Sequence, residues 1–500
     1  MRLAALLRHG QGFGRIRRRD KDFFTEDTKG REENRREGLP LRLRTRDSGP
    51  SQDNMIRWPE INEHARENYW FDSGGFSNQA LSPPLKRAIL ADIAIVGGGF
   101  TGLAAAYHLI VNHPDKKVVL LEAACCGCGA SGRSGGFADT GVRGLERILE
   151  EQGPEEARRI FDITLDGLDM IRQFSETHGV DCDFAPNGSI ELANDESHIP
   201  ELEEEKEFYD KLGLEATLLD KAELQGIIKS DRYVAALRYP YGATVNPYKL
   251  TRGMKRVVEH KGVDIYERTP VFRIEPGKQI RLLTEMGEVR APAMVLATDG
   301  YSPSLGFFRN RVIPMCAYVI ATAPLTENQR ESIGWAGREK LSDLKVVFDY
   351  FHLSADDRII FGGGGLRYRY GGRPCEGAHE PTIRKIQKSL FTTFPQLRGI
   401  EVTHQWGGTL GMSLEFVPSV GVMGEHKNVY YAVAYSGEGI VLSQVAGKII
   451  ESLYSGKNDA LARLFFINKP VPYSWPDPIR YIGVAGYKAY YQWLRRRPIH

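Results

Sequence analysis

The run Gly97-Gly98-Gly99-Phe100-Thr101-Gly102 constrains this chain more than any other feature. It stands between a short β-rich segment, residues 92–96, and a segment of helical character, residues 101–111. A G-x-G-x-x-G at a strand-to-helix turn suits the pyrophosphate of a dinucleotide. Gly97 permits the tight turn, Gly99 lets the phosphates approach the backbone, and Gly102 lets the helix pack closely on the strand. The helix N-terminus adds free N–H groups and a partial positive charge. Residues 117–121 read as a second strand, and Glu122 follows Gly102 by twenty residues, where its carboxylate can accept from a ribose diol. The folded part of the chain thus opens as a βαβ unit.

The length, 500 residues, allows two or three domains. Helices are expected over 154–178, 197–212, 247–260, 381–393 and 440–454, and strands over 188–193, 263–267, 270–275, 279–284 and 290–297. A hairpin is expected from 345–353 and 358–362, turned by Ser354-Ala355-Asp356-Asp357. The strand-rich middle, roughly 305–415, reads as an antiparallel sheet, and a last strand, 428–433, precedes its own helix.

This order predicts an α/β (α+β) protein: a Rossmann-like nucleotide domain assembled from separated segments, with an antiparallel-sheet substrate domain inserted. The expected divisions are a basic, disordered arm over 1–55, nucleotide-domain segments over 56–190, 246–304 and 416–460, substrate-domain segments over 191–245 and 305–415, and a C-terminal tail over 461–500 that packs on the body.

Charge places few demands on partners. Lys+Arg 66 against Asp+Glu 64 leaves a formal charge of +2. Residues 1–50 hold 14 basic and 8 acidic side chains, so the remaining body is net acidic. The basic character belongs to the leading arm, which reads as a disordered tail with an organelle presequence as the alternative, and nucleic acid is not an expected partner. Six cysteines are too few for a disulfide scaffold, and a reducing, cytoplasmic setting fits. No apolar run reaches the ~20 residues a membrane helix needs. The aromatic stretch 479–497, which ends in three arginines, is compatible with contact at a membrane surface. Oligomeric state is not legible.

Three motifs invite other chemistry. Gly132-Arg133-Ser134-Gly135-Gly136 has the form of a hydrolase nucleophile elbow, but an elbow needs a strand before it and a helix after, and the preceding stretch is a poor strand. Cys125-Cys126-Gly127-Cys128 lacks the second ligand pair of a structural zinc site and reads as small side chains in a loop, so no metal is expected. Phe361-Gly362-Gly363-Gly364-Gly365 has no helix after it, which favours close strand packing near a ligand over a phosphate loop.

Taken in order, VGGGFTGLAAAYHL, LEAACCGCGASGRSGGF, the hairpin around Asp349–Asp356, TFPQLRG, Trp406-Gly407-Gly408 and Tyr435-Ser436-Gly437-Glu438-Gly439-Ile440 resemble the FAD-dependent amine and amino-acid oxidases of the D-amino-acid-oxidase-like superfamily, above all its γ-glutamylputrescine oxidases. The resemblance runs from about Trp58 nearly to the C-terminus. It implies non-covalent FAD. Gly97, Gly99 and Gly102, with Phe100 and Thr101, would hold the pyrophosphate, Glu122 the adenosine ribose, and Val271 the adenine. Ser131, Gly132, Arg133, Ser134 and Gly135 would line the ribityl and ring side, and Ala297 and Thr298 are further cofactor candidates. Gly437, Glu438, Gly439 and Ile440, opening the last helix, would offer N–H groups to the flavin pyrimidine.

The resemblance further implies hydride transfer from an amine carbon, with the imine hydrolysing to an aldehyde and oxygen returning as hydrogen peroxide. Arg367 falls where relatives place a cation that aids oxygen, and Tyr350, His352 and Trp406 are candidates for the substrate pocket. Two departures matter. Relatives that oxidise small amino acids carry an Arg where this chain has Leu410, which favours an amine, and the Cys that anchors flavin covalently in sarcosine-oxidase-like members aligns near Gly408. Rival readings are a dehydrogenase passing electrons to quinone at a membrane, and a non-catalytic flavin-binding module.

Overall fold

The computed structural model describes residues 67–494 apart from 346 and 376. The basic arm and the arginines at 495–497 lie outside the described residues. Among the described residues no helix is long and apolar enough to cross a membrane.

A six-stranded sheet forms the first layer. Its order is Ser419–Met423, Val429–Val433, Ala293–Leu296, Ile93–Val96, Val118–Leu121, Asp264–Tyr266. The central four strands are buried on both faces, as expected for parallel strands covered by helices. Ile93–Val96 pairs in parallel with Val118–Leu121 on one side and Ala293–Leu296 on the other. Helix Phe100–Asn112 packs against helix Gly439–Tyr454. Gly447 permits the close approach, since a Cβ there would stand 2.6 Å from the Ala104 backbone. Helix Pro154–His178 buries Ala157, Ile160, Phe161, Thr164, Gly167 and Ile171, a stripe at helical spacing.

The second layer is a nine-stranded, mainly antiparallel sheet. Its long strands, Ile313–Thr322 and Val402–Met412, pair along their whole length. Alternation of side chains gives it two apolar faces. One carries Ile190, Leu341, Phe351, Phe361 and Ile320 into a core closed by Ile383, Ile386, Leu390 and Phe394. The other faces the six-stranded sheet.

Local structure departs from expectation at three places. The expected strand 290–297 is two strands, Glu288–Ala291 and Ala293–Leu296, which lie in different sheets. Pro292 between them has no N–H for a ladder, which suits a change of sheet. The first arm of the expected hairpin is only Tyr350–Leu353, paired with Ile359–Gly362. Lys345 and Asp349 lie outside the ladder, where a buried charge cluster claims their side chains. Asp343 accepts from the Asp349 N–H at 2.9 Å and from Lys345 Nζ at 2.6 Å, and Arg232 reaches Asp349 at 2.8 Å. Last, Cys125 and Cys128, read as small loop side chains, are joined as a disulfide across one turn.

Candidate active site

A cavity of about 1770 Å³ runs between the two large sheets. Every residue expected at the cofactor lines it except Gly102 and Gly132. Those two are small for packing instead. A Cβ on Gly102 would lie 1.9 Å from the Gly97 carbonyl oxygen, and one on Gly132 would lie 2.2 Å from that of Gly127. The glycine loop itself needs its freedom at Gly97, whose φ is +107° and whose Cβ would stand 2.6 Å from the Ala297 carbonyl.

Helix Phe100–Asn112 starts at Gly99 with no side-chain cap, and helix Gly439–Tyr454 starts at Glu438 in the same way. Both therefore present first-turn N–H groups and the positive ends of their dipoles to the cavity. The Phe100 N–H donates to Ser131 Oγ at 2.9 Å, which binds the two glycine loops together. Thr101 and Tyr435 share a hydroxyl hydrogen bond of 2.8 Å, which joins the two helix starts.

Glu122 ends the strand Val118–Leu121, and its carboxylate accepts from the Gly98 N–H at 2.7 Å and the Ala124 N–H at 2.9 Å. Burial pushes its carboxyl up to about 7 despite those donors. The chemistry fits FAD: uncapped helix N-termini for a pyrophosphate, a carboxylate for a ribose, Val271 at a strand start for an adenine, and Gly437, Gly439 and Ile440 for the ring.

Arg133 is half-buried, and desolvation lowers its pKa. Its Nε donates to the Cys128 carbonyl at 2.8 Å and its guanidinium lies 5.3 Å from the Phe71 ring centre. Trp406 Nε1 donates to the Arg133 carbonyl at 3.0 Å. Glu438, placed at the cofactor by position alone, pairs with Arg143 at 3.0 Å and also accepts the Arg143 N–H at 3.2 Å. Burial raises its pKa, and Arg143 opposes the rise.

The catalytic candidates separate. Tyr350 and Arg367 line the cavity, but His352 and Trp406 do not. The His352 ring stacks on Trp70 at 5.9 Å, with Nδ1 3.0 Å from the Leu353 carbonyl and Nε2 3.0 Å from that of Gly135. Burial drives its pKa down to about 4, so the ring is neutral near pH 7. Trp406 packs edge-on against Trp70 at 6.3 Å. Both rings lie on the same sheet face as Tyr350 and Val319, beside the wall, where Trp70 covers them. Ser134 follows a 3₁₀ turn, Ser131–Arg133, and precedes a two-residue strand, Phe137–Ala138, so it has neither flank of a nucleophile elbow.

Two residues escaped the sequence reading. Asp299 sits at a positive φ of 36° and accepts from the Gly411 N–H and the Ala434 N–H, each at 2.8 Å. It ties the strand Val402–Met412 to the YSGEG turn, a join between segments distant in sequence. Arg143 pairs with Glu438 across 295 residues.

The chain matches the family model for FAD dependent oxidoreductases over residues 92–453. It is a member of the DAO family of FAD-dependent oxidoreductases. It is 31% identical over 413 residues to gamma-glutamylputrescine oxidoreductase of Escherichia coli, covering 81% of this chain and 93% of that protein. It is 30% identical over 439 residues to the probable oxidoreductase OrdL of Haemophilus influenzae, covering 85% and 97%. Glycine oxidase from Geobacillus kaustophilus shares the fold, with a TM-score of 0.65 at 20% identity over 77% of this chain and 100% of that one. FAD is therefore the cofactor.

Proposed function

We propose that the protein oxidises an amine of the γ-glutamylputrescine type to the corresponding imine, which water hydrolyses to aldehyde and ammonia, with oxygen taking the two electrons to give hydrogen peroxide. Bound FAD supplies the two-electron acceptor for the hydride. The observation that carries this reading is the wall opposite the second glycine loop. Ala317, Val319 and Leu410 line it, and Leu410 stands where an arginine would clamp an α-carboxylate. An apolar wall favours the neutral amine, whose lone pair must be free for its α-carbon to release hydride, over the ammonium form.

Tyr350 extends the wall. Its ring stands edge-on to Phe137 at 5.5 Å and shields the reacting carbon from water. Arg367 is the proposed cation for charge developing on oxygen. In the ladder it pairs with Cys316, close to Tyr318.

A second reading, transfer to a quinone at a membrane surface, has one observation in its favour. Trp475 (66% exposed) and Ile479 (53%) line the cavity and still face solvent, next to Ile482 (65%). An absorbance spectrum repeated after anaerobic addition of γ-glutamylputrescine tests the first reading: bleached flavin bands are expected, and unchanged bands would send the assignment to another amine. Oxygen uptake without added acceptor then separates the two electron acceptors.

A further inference from the structure

Strand Ile313–Thr322 sends Met315, Ala317 and Val319 to the cavity, and Cys316, Tyr318 and Ile320 to the core on its other face. On that second face Cys316 meets Cys375, which comes from the segment that leads into helix Glu380–Thr393. Three contacts fix the place of Cys375. Its N–H donates to Thr409 Oγ1 at 2.7 Å, and Thr409 is the ladder partner of Cys316. Its Sγ lies 3.5 Å from the hydroxyl of Tyr318, two residues along the same strand face from Cys316. Gly407, the ladder partner of Tyr318, leaves the space for that sulfur: a Cβ on Gly407 would stand 2.9 Å from Cys375 Sγ. Cys375 thus straddles the Cys316–Thr409 and Tyr318–Gly407 pairs, which brings the two thiols together. Both cysteines are free, and a hydrogen bond between them is the largest influence on the acidity of each.

The two thiols differ as a redox pair requires. Cys316 is 1% exposed, and its hydrogen bond to Cys375, together with burial, pushes its thiol up. Cys375 is half-buried and reaches solvent. Its thiol is held below the ordinary cysteine value by the hydrogen bond from Cys316. Burial opposes that lowering, while Tyr318, Arg133 and Arg369 add to it. A thiolate at the accessible position is the group that attacks a peroxide, and a second thiol within reach completes a disulfide. The other two free cysteines, Cys126 and Cys182, are buried, and burial raises both.

We propose that Cys316 and Cys375 are a modification site, a thiol pair that hydrogen peroxide converts reversibly to a disulfide on the far face of the cavity wall. The Cys375 thiolate takes one oxygen as the O–O bond breaks, and the hydroxide released takes up a proton. The Cys316 sulfur then attacks the sulfenic sulfur, forms the S–S bond and displaces hydroxide, which leaves as water with the Cys316 proton. The two thiols lose two electrons, and one hydrogen peroxide becomes two waters. Each chain consumes a single peroxide before a thiol reductant must restore it, so the pair responds to peroxide and does not clear it. The bond ties the segment ahead of helix Glu380–Thr393 to the strand that carries Met315 and Ala317. Thr409, which also lines the cavity, lies against it. The proposal stands apart from the amine-oxidation reading, since peroxide from any source serves.

The test treats reduced holoenzyme, freed of reductant, with hydrogen peroxide and maps its cysteines by mass spectrometry under non-reducing conditions. A peptide pair crosslinked through Cys316 and Cys375 is expected, with the four free thiols falling to two and dithiothreitol reversing the bond without denaturant. Amide exchange over residues 375–382 should slow severalfold in the oxidised form. C316S should stop at a sulfenic acid on Cys375 that dimedone traps, and C375S should form neither product. Oxidation of Cys126 or Cys182 ahead of Cys375, or passage of Cys375 to sulfinic acid with no crosslink, would overturn the pair. Should C316S not fold, alkylation of the unaltered protein decides: Cys375 should label at least about tenfold faster than Cys126 and Cys182, and equal rates overturn the proposal. Incubation with γ-glutamylputrescine in air identifies the source of the oxidant. Crosslinking that catalase prevents assigns it to the protein's own flavin, crosslinking only on added peroxide assigns it to the surroundings, and either result supports the pair.

Discussion

At the scale of single residues, Glu122 couples protonation to the cofactor. Its carboxyl is raised to about 7 by burial, well above its unfolded value. Its contribution to the stability of the flavin-free protein is therefore fully present at acid pH and is lost as pH rises through about 7. Ribose hydroxyls that donate to the carboxylate lower its pKa and remove that loss. The difference in Tm between FAD-loaded and FAD-free protein should accordingly widen from about pH 4.5 to about pH 7 and level off above, and E122Q should flatten it while weakening FAD by about tenfold. Gly102 offers a test of packing. G102A places a methyl 1.9 Å from a carbonyl oxygen, which should cost about 1–3 kcal/mol and release flavin, read as lost absorbance after gel filtration. Leu410 is the specificity test. L410R puts a guanidinium on the cavity wall and should raise turnover of glycine or sarcosine relative to amines, measured by paired kcat/KM values.

At the scale of elements, the start of helix Gly439–Tyr454 depends on a contact made far away in the chain. Glu438 stands at the helix N-terminus, and Arg143 pairs with it while both are mostly shielded, at 28% and 18% side-chain exposure. R143A leaves the carboxylate buried without its counter-charge, which should destabilise the protein by about 1–3 kcal/mol and loosen FAD. E438Q in the R143A background should recover much of that loss, as read by urea denaturation and flavin fluorescence. Element by element, sequence periodicity served well where a segment is long and carries its own signals. Helix Pro154–His178 occupies its expected span, with Pro at its start and Gly179 in the left-handed region at its end. Periodicity failed where partners decide. A β-rich run such as 290–297 looks continuous until Pro292 hands its halves to two sheets, and Lys345 and Asp349 look like strand residues until the cluster with Arg232 and Asp343 claims them.

At the scale of the whole molecule, the two large sheets face one another across the cavity, so a ligand there contacts both. FAD should stabilise the fold as a unit: at a free concentration about 100 times Kd it should add about 2.7 kcal/mol, with a single unfolding transition moving upward as flavin is titrated in a thermal melt. The glycine turn between the strand Ile93–Val96 and its helix was legible in sequence because its geometry is local. Gly97, Gly99 and Gly102 are close in the chain, and their spacing encodes the turn, the phosphate approach and the helix packing at once. The acid at Glu122 needs only one further strand to come into place. The rest of the site depends on which residues of distant strands share a face, a matter of register. His352 and Trp406 carry the composition of pocket residues and share the face of Tyr350 and Val319, but Trp70 packs over both and keeps them from the cavity. Asp299 and Arg143 carry no motif, and only contacts across more than a hundred residues give them their places. By itself, then, the sequence determined the strand, glycine turn and helix that open the nucleotide domain, since short-range spacing dictates backbone geometry there. The tertiary structure alone decided which aromatic and charged side chains surround the substrate, since strand pairing between remote segments selects the face each one presents.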